Sequence, residues 1–339
     1  MIIYTDLLKG DFFESFSKGL EKNQKFFISS QNIARTKKSD QELEEYVSTE
    51  HAELEKWKNE NSHPSNLNVK HNKENTLKTK MSFLEGDANP YVNTDKISSP
   101  NNYSNITHSL VKKDKEVIDF RNSNNINMQS TGLELLKLNS HVKIDFDKNI
   151  YECLKPHYLD IFTNLEKTFP AASKIILFSA VSRNITADSE DKGVNFAHSD
   201  FTCASGLERE KRLLQKQNLI SSEQDFFFVN TWMHINKKSA TSSLGFLLRD
   251  SIETKDLGIL RVRSEKYDFS NYLLKDNPNH VWGRFSNLDT NELIAFKQFD
   301  SSAAKDYENH KNVTFHSAIK TSENTDVRSS MEIRFAIVF

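Results

Sequence analysis

Cysteine and glycine are scarce in this chain, and their scarcity argues against several classes of protein. Only two cysteines occur among 339 residues, Cys153 and Cys203, which argues against a disulfide-stabilised secreted domain and favours a reducing compartment. Neither cysteine lies in a CxxC or CxxH pattern, so a structural zinc site is not expected. The nine glycines include no GxGxxG or Walker-type loop, which weakens a nucleotide-binding interpretation.

Excess charge of one sign and long apolar runs are also missing. The formal net charge is −2 and basic residues are mixed with acidic ones, so neither nucleic acid nor a membrane is predicted as a partner. No run approaches the ~18 apolar residues of a membrane-spanning helix. The first residues, Met1–Asp6, lack the basic region of a secretory signal peptide. We therefore expect a cytoplasmic protein.

Residues 1–80 differ in composition from the rest of the chain. Phe12–Leu20 has apolar residues at helical spacing, and Glu42–Lys58 is a second, charged, helix-prone run. Asn59–Lys80 is rich in Asn, Lys and Ser, and it has too few large apolar residues to offset its chain entropy, which predicts a linker. We expect a helical, partly disordered N-terminal extension at 1–80. Protein docking through its Phe-rich helix is the alternative.

From Met81 onward, the apolar segments have the character of strands. Four runs are rich in β-branched and aromatic residues: Lys174–Val181, Phe226–Val229, Glu292–Phe299 and Met331–Phe339. Helical patterns occur at Asp160–Phe169, starting after Pro156, and at Ser205–Gln217, which opens with a capping-box signature at Ser205. Residues 81–339 are thus predicted to form a mainly β domain with flanking helices (α+β) around a sandwich or jelly-roll core.

A scattered set of polar residues in the last part of the chain suggests a metal site. His198 and Asp200 form an HxD motif, His316 follows much later, and Arg328 with Ser330 forms an RxS motif. Two imidazoles and one carboxylate make a mixed N/O site that leaves metal positions open, as non-haem iron(II) oxygenases require. Strand alternation would place the first two on one side of a strand.

The RxS motif indicates an anion site beside the metal. Alternation in the final strand places Arg328 and Ser330 on one face, where a guanidinium fork and a hydroxyl can hold one carboxylate of a dicarboxylate such as 2-oxoglutarate. His310 competes with His316 as the third metal ligand, but it lies in a polar, loop-like stretch. Each piece alone also has an ordinary structural explanation, because HxD tripeptides are common in surface turns.

Taken together, these residues resemble the 7-alpha-cephem-methoxylase-like family, which includes fungal hydroxylase/desaturases. The resemblance spans residues 81–339. It rests on the segments MSFLEGDANPYV, ASKIILFSAVSR, NFAHSDFT, VNTWMHINKKSATSSLGFLLRDS, NPNHVWGRFSNLDTNELIAFKQFDS, TFHSAI and VRSSMEIRFAIVF.

The resemblance implies a double-stranded β-helix core, which is a cupin-like jelly roll, and an iron(II)/2-oxoglutarate-dependent oxidoreductase. It implies that His198, Asp200 and His316 are the catalytic metal ligands for Fe(II). Arg328 and Ser330 would then bind the cosubstrate 2-oxoglutarate. The expected reaction is hydroxylation or desaturation of a small natural-product-like substrate, with O2 and 2-oxoglutarate converted to CO2 and succinate.

The substrate itself is not implied, because the chain departs from the family pattern. Candidate pocket residues are Asn230, Trp232, Met233 and Lys297. Met233 stands where the family usually has arginine after the Trp of its Asn-x-Trp element, and Ser243 stands where it usually has proline. Two alternatives stay open: a catalytically silent barrel that acts as a binding or scaffold protein, and an iron oxygenase that does not use 2-oxoglutarate.

Overall fold

A computed structural model describes the greater part of the chain. The described residues are 2–3, 26–28, 38–59, 76–86, 90–93, 109–121, 123, 125–145, 150–185, 194–209, 224–235, 242–263, 268–302, 313–321 and 328–339. The helix predicted at Phe12–Leu20 and the competing ligand His310 lie outside these residues. Within the described residues, no helix combines the length and the apolar character needed to cross a membrane.

Strands make up most of the regular secondary structure in the described residues. The helices are α1 (Asp40–Asn59), α2 (Met128–Thr131) and α3 (Ile150–Thr168), with a helical segment at residues 203–209 and 3-10 turns at Arg249–Ser251 and Thr254–Asp256. The strands are β1 (Ile2–Ile3), β2 (Phe26–Ile28), β3 (Leu77–Leu84), β4 (Tyr91–Asn93), β5 (Leu110–Asp119), β6 (Leu133–Lys137), β7 (Lys174–Ile185), β8 (His198–Ser199), β9 (Phe226–His234), β10 (Ser242–Leu247), β11 (Leu257–Arg263), β12 (Asp268–Leu274), β13 (Trp282–Arg284), β14 (Glu292–Asp300), β15 (His316–Lys320) and β16 (Arg328–Val338).

The strands form two sheets. The seven-stranded sheet has the order β1-β7-β16-β9-β14-β6, with β2 also paired to β7, and the nine-stranded sheet has the order β3-β5-β13-β10-β15-β8-β12-β11-β4. From β7 to β10, and again from β13 to β16, each successive strand of the core lies in the opposite sheet. Within each of the two sheets, the neighbouring central strands pair antiparallel. This topology is a double-stranded β-helix, which confirms the predicted mainly β jelly-roll fold, and all four predicted strand runs lie in strands.

The two sheets enclose an aromatic interior. Phe246 of β10 and Phe296 of β14 meet with ring centroids 5.2 Å apart, and Phe296 also lies 5.0 Å from the His316 ring. Trp232 is buried in the same cluster. Side chains alternate across each strand, so the inward-facing residues of one sheet pack on those of the other. The site residues on β8, β9, β15 and β16 project into this interior.

Helix α3 covers the outer face of the seven-stranded sheet. Leu154, Tyr158, Phe162 and Leu165 recur at helical spacing and are fully buried, and the Phe162 ring packs edge-on against Phe335 of β16 at 5.4 Å. The helix starts at Ile150 and contains Pro156, whereas the sequence predicted a start after this proline. Burial of the continuous apolar face outweighs the ~3 kcal/mol that an interior proline costs.

Two further boundaries differ from the prediction. The linker was expected to extend to Lys80, but β3 begins at Leu77 and pairs with β5. Leu77–Lys80 alternates between half-buried and exposed, as expected of an edge strand whose lysines face solvent. The capping box begins at Thr202 and not at Ser205. The Thr202 hydroxyl accepts the backbone N–H of Ser205, and the Ser205 hydroxyl accepts the backbone N–H of Thr202. Residues 203–209 are helical.

The predicted helix at Glu42–Lys58 is present as α1, and it packs against the nine-stranded sheet. Glu50 is fully buried and accepts hydrogen bonds from the hydroxyls of Thr202 at 2.7 Å and Ser270 at 3.0 Å. The guanidinium of Arg261 in β11 lies 3.4 Å from the same carboxylate. At the start of the helix, Lys38 donates its backbone N–H to Asp268 at 2.9 Å. These contacts attach α1 to strands β11 and β12.

Candidate metal centre

The predicted metal ligands converge where β8 meets β15. His316 is the first residue of β15 and the direct antiparallel partner of His198 in β8. Their imidazole rings have centroids 4.3 Å apart. Asp200 follows β8 in a bend, and donor atoms of the three residues all lie within 4.8 Å of one another. Side chains that are distant in the sequence thus form one cluster that can hold a metal ion.

His198 has one ring nitrogen available for a metal. Its Nδ1 lies 2.9 Å from the backbone carbonyl oxygen of Phe196. Because a carbonyl oxygen only accepts hydrogen bonds, Nδ1 carries the proton and the Nε2 lone pair is free. Nε2 lies 3.6 Å from Asp200 Oδ1. This separation is close to the ~3 Å expected between two adjacent donors that each lie about 2.1 Å from one ion.

The charge state of the cluster also suits a metal. Burial, together with the neighbouring His198, lowers the pKa of His316 to about 3, so its imidazole is neutral near pH 7. Burial alone would raise the pKa of Asp200, but the Arg334 guanidinium and the two imidazoles outweigh it and hold this pKa well below its usual range. A neutral imidazole and an ionised carboxylate are the forms that bind metals.

Three side chains from the seven-stranded sheet hold Asp200 in place. Asn230 donates from Nδ2 to Asp200 Oδ2 at 2.7 Å, and Arg334 Nη2 lies 3.4 Å from the same oxygen. Gln298 accepts the backbone N–H of Asp200 through its Oε1 at 2.8 Å. Asn230 was predicted as a pocket residue, whereas Gln298 was missed. The sequence does contain a signal for Gln298. This residue is polar within the apolar strand β14, and it lies two positions after Phe296, which faces inward.

The predicted anion site lies nearer the start of β16. Ser330 is the cross-strand partner of Arg183 in β7 and of His234 in β9, so the three side chains share a face, and Arg328 lies two residues away on that face. Arg328 and Ser330 are buried, and the Ser330 hydroxyl has no hydrogen-bond partner in the described part of the chain. Buried hydroxyls normally form hydrogen bonds. The Ser330 hydroxyl shares its face with the guanidiniums of Arg183 and Arg328, and this combination suits a bound carboxylate.

Burial and the nearby Arg328 cation, in that order, lower the pKa of His234 to about 4. The imidazole of His234 is therefore neutral near pH 7, and it contacts the Trp232 ring at 4.8 Å. Trp232 is 1% exposed. These two rings pack against each other along β9, and His234 is the cross-strand partner of Ser330 in the anion site.

Two predicted pocket residues lie elsewhere. Met233 faces the core under α3, in the cluster that contains Phe335 and Ile337. It directly follows Trp232 in β9, and adjacent residues of a strand point to opposite faces of the sheet. Lys297 bonds to Asp300 at 2.9 Å and its Nζ lies 3.6 Å from the centre of the Phe227 ring. Since Phe227 packs on the same outer core, Lys297 points away from the interior. The expectation that Met233 and Lys297 line the pocket is therefore corrected.

A cavity opens beside Asp200. Its volume is about 20 Å³, which is room for about one water molecule. Its lining includes Phe201, Ser205, Glu208, Arg209 and Asp268. The cavity is therefore mixed in character, with aromatic, hydroxyl and charged groups of both signs next to a candidate metal ligand.

The fold and the cluster define a double-stranded β-helix protein with a two-histidine, one-carboxylate centre. A family model described as "Oxidoreductase/YMDC permease-like domain" matches residues 81–339, and the chain belongs to this family. All the candidate metal and anion ligands lie inside the matched region, and α1 precedes it.

Solved structures with a similar fold are those of the "iron and alpha-ketoglutarate-dependent endoperoxidase NvfI". One structure has a TM-score of 0.62 and 14% sequence identity, and a single-substitution variant has 0.64 and 15%. Each alignment covers 78% of this chain and 98% of the other. At this identity the similarity establishes the shared fold. No curated protein matches the chain.

Proposed function

We propose that the chain is an iron(II)- and 2-oxoglutarate-dependent oxygenase, a hydroxylase or desaturase, that acts on a small natural-product-like molecule. The observation that carries this proposal is the convergence of His198, Asp200 and His316 in one buried cluster. The Arg328–Ser330 pair in the same barrel supports it. The resemblance to the cephem-methoxylase-like family and the fold shared with an iron and alpha-ketoglutarate-dependent enzyme point to the same chemistry.

The residues present suit iron(II) and its cosubstrate. His198 Nε2, Asp200 and His316 would hold the metal, and a site of this composition leaves positions open for further ligands. Bound iron with 2-oxoglutarate would supply O2 activation for oxidation of a C–H bond. Zinc in a structural site would require four protein ligands, and the described residues supply three in this cluster.

The chain's own residues would bind, orient and shield the reactants. Arg328 would hold the distal carboxylate of 2-oxoglutarate through two parallel charge-assisted bonds, and the Ser330 hydroxyl would add a third. Trp232 and Phe296 would keep water away from the centre, which strengthens the electrostatic contacts inside it. The substrate would approach the centre from the Asp200 side, where Phe201, Arg209 and Asp268 line a small cavity.

Anaerobic titration tests the proposal. Adding iron(II) and then 2-oxoglutarate should produce a weak visible charge-transfer band in the wild-type protein and none in His198→Ala. The control is His141→Ala, since His141 is more than half exposed and outside the cluster. A wild-type protein that gives no band would refute the proposal.

A second measurement separates the alternatives. Arg328→Met should keep iron binding and lose 2-oxoglutarate binding. Turnover that survives this substitution would indicate an iron oxygenase without 2-oxoglutarate. A wild-type protein that binds both ligands but forms no succinate with any substrate tested would indicate a silent binding barrel.

A further inference from the structure

The two oxygens of the Asp200 carboxylate have different surroundings. Oδ1 lies toward the imidazoles, 3.6 Å from His198 Nε2. Oδ2 accepts a hydrogen bond from Asn230 at 2.7 Å and lies 3.4 Å from the Arg334 guanidinium. We propose that Arg334 is a positioning residue that, together with Asn230, occupies Oδ2, so that Asp200 binds the metal through Oδ1 alone. This inference rests on the proposed function.

The number of oxygens that Asp200 offers matters because a carboxylate can bind a metal through one oxygen or two. A second oxygen on the metal would take a position that the cosubstrate or O2 needs, and the chemistry of a two-histidine, one-carboxylate centre depends on those positions staying open. A guanidinium is suited to this task because it stays charged and presents donors in a fixed plane. Arg334 would thus preserve the open face of the metal.

The Arg334 cation lies so close to Asp200 that it would also repel a divalent metal ion bound there. The carboxylate of Glu332 compensates for this positive charge. Glu332 lies two residues before Arg334 on the same face of β16, and its carboxylate contacts the Arg334 guanidinium. Its other oxygen, Oε2, lies 3.9 Å from Arg183 Nη1. The side chains Arg183, Glu332, Arg334 and Asp200 therefore form a largely buried row of alternating sign. Glu332 balances Arg334, so that Arg334 can hold Asp200 without expelling the metal.

This arrangement predicts opposite effects from two neighbouring substitutions. Arg334→Met removes the repelling cation and frees Oδ2, so manganese(II), used as an oxygen-insensitive probe, should bind about tenfold more tightly. Binding of 2-oxoglutarate to the manganese-loaded protein should weaken about tenfold, because a coordination position is lost. Glu332→Gln leaves Arg334 uncompensated and should weaken manganese binding about tenfold. Isothermal titration measures each affinity.

The carboxylate itself provides a direct readout. A crystal structure of the manganese-loaded wild type should have one Asp200 oxygen on the metal, and that of Arg334→Met should have two. Arg334→Lys keeps the charge and should leave manganese affinity near the wild-type value. The matched control is Arg121→Met, which breaks an Arg–Glu pair with Glu292 outside the centre and should leave both affinities unchanged.

The proposal is overturned if folded Arg334→Met loses affinity for both manganese and 2-oxoglutarate, because Arg334 would then only support the structure. It also fails if both Asp200 oxygens bind manganese in the wild type. If Arg334→Met does not fold, the Glu332→Gln titration decides, since unchanged or tighter manganese binding would refute the charge argument. A wild-type protein that binds no metal would instead refute the proposed function.

Discussion

At the scale of single residues, burial controls the protonation of the interior. His234 is 1% exposed, and burial with the neighbouring Arg328 cation lowers its pKa to about 4. An unfolded chain protonates this imidazole below its ordinary pKa of 6.5. Between these two values the unfolded state holds more protons than the folded one, so acid favours unfolding in this window.

His234 should therefore make the protein less stable as pH falls from about 6.5 toward 4. We expect the free energy of unfolding of the metal-free protein to drop by about 1 to 2 kcal/mol from this group between about pH 7 and pH 5. His234→Gln should show a flatter pH dependence in urea denaturation, whereas the exposed His141→Gln should not. Equal pH profiles for wild type and His234→Gln would contradict this expectation.

Strand phase explains which pocket residues could be predicted. Asn230, Trp232 and Met233 lie in one run of β9 that is almost entirely buried, and a strand buried on both faces has no polar alternation to show which side faces inward. The sequence therefore could not separate Trp232 from Met233. The contact of Asn230 with Asp200 and the core position of Met233 resolve the phase.

At the scale of secondary-structure elements, α1 is attached to the barrel through a buried carboxylate. Leu43, Tyr46, Val47 and Glu50 recur at helical spacing on its packed side. Burial raises the pKa of Glu50, while the Thr202 hydroxyl and the Arg261 guanidinium act in the opposite direction. A buried carboxylate with these partners fixes where the helix lies on the sheet.

Glu50→Ala should release α1. The substitution leaves Arg261 without its carboxylate partner, and breaking a buried pair in this way costs about 3 to 5 kcal/mol. Hydrogen exchange of residues 40–59 should accelerate and the melting temperature should fall. Glu44→Ala, on the exposed side of the same helix, is the control. Unchanged exchange in Glu50→Ala would show that α1 does not depend on this contact.

Element boundaries were harder to predict than the elements themselves. The sequence located α3 and the four long strands, because their apolar runs have a clear period. It misplaced the start of α3 because Pro156 is a local signal for a helix end, whereas Leu154 and Tyr158 on either side of it are buried in the core. Tertiary burial outweighed the local preference.

At the scale of the whole molecule, the candidate metal centre depends on the fold. His198 and His316 come from different strands and meet only when β8 pairs with β15, so an unfolded chain does not present the site. A ligand that binds only the folded state stabilises it by about 2.7 kcal/mol at a concentration near 100 times its Kd. Metal binding at the candidate centre would therefore be linked to folding.

Manganese(II) should accordingly raise the melting temperature of the wild type by several degrees. Asp200→Asn should reduce this increase, because the amide replaces an ionised ligand with a neutral one. The measurement is a thermal unfolding scan with and without the metal. The same increase in both proteins would mean that the metal binds at another site.

The strand-like apolar runs after Met81 and the order HxD, then a histidine, then RxS belong to the sequence. The runs were sufficient to predict a mainly β jelly-roll core, and the motif order indicated the candidate ligands. Their alternation in strands is a local property of the chain. The contact of Arg334 with Asp200 was decided by the tertiary structure alone. It depends on how β16 is aligned with β9 and how β8 turns toward both, and this alignment follows from packing between segments that are far apart in the chain.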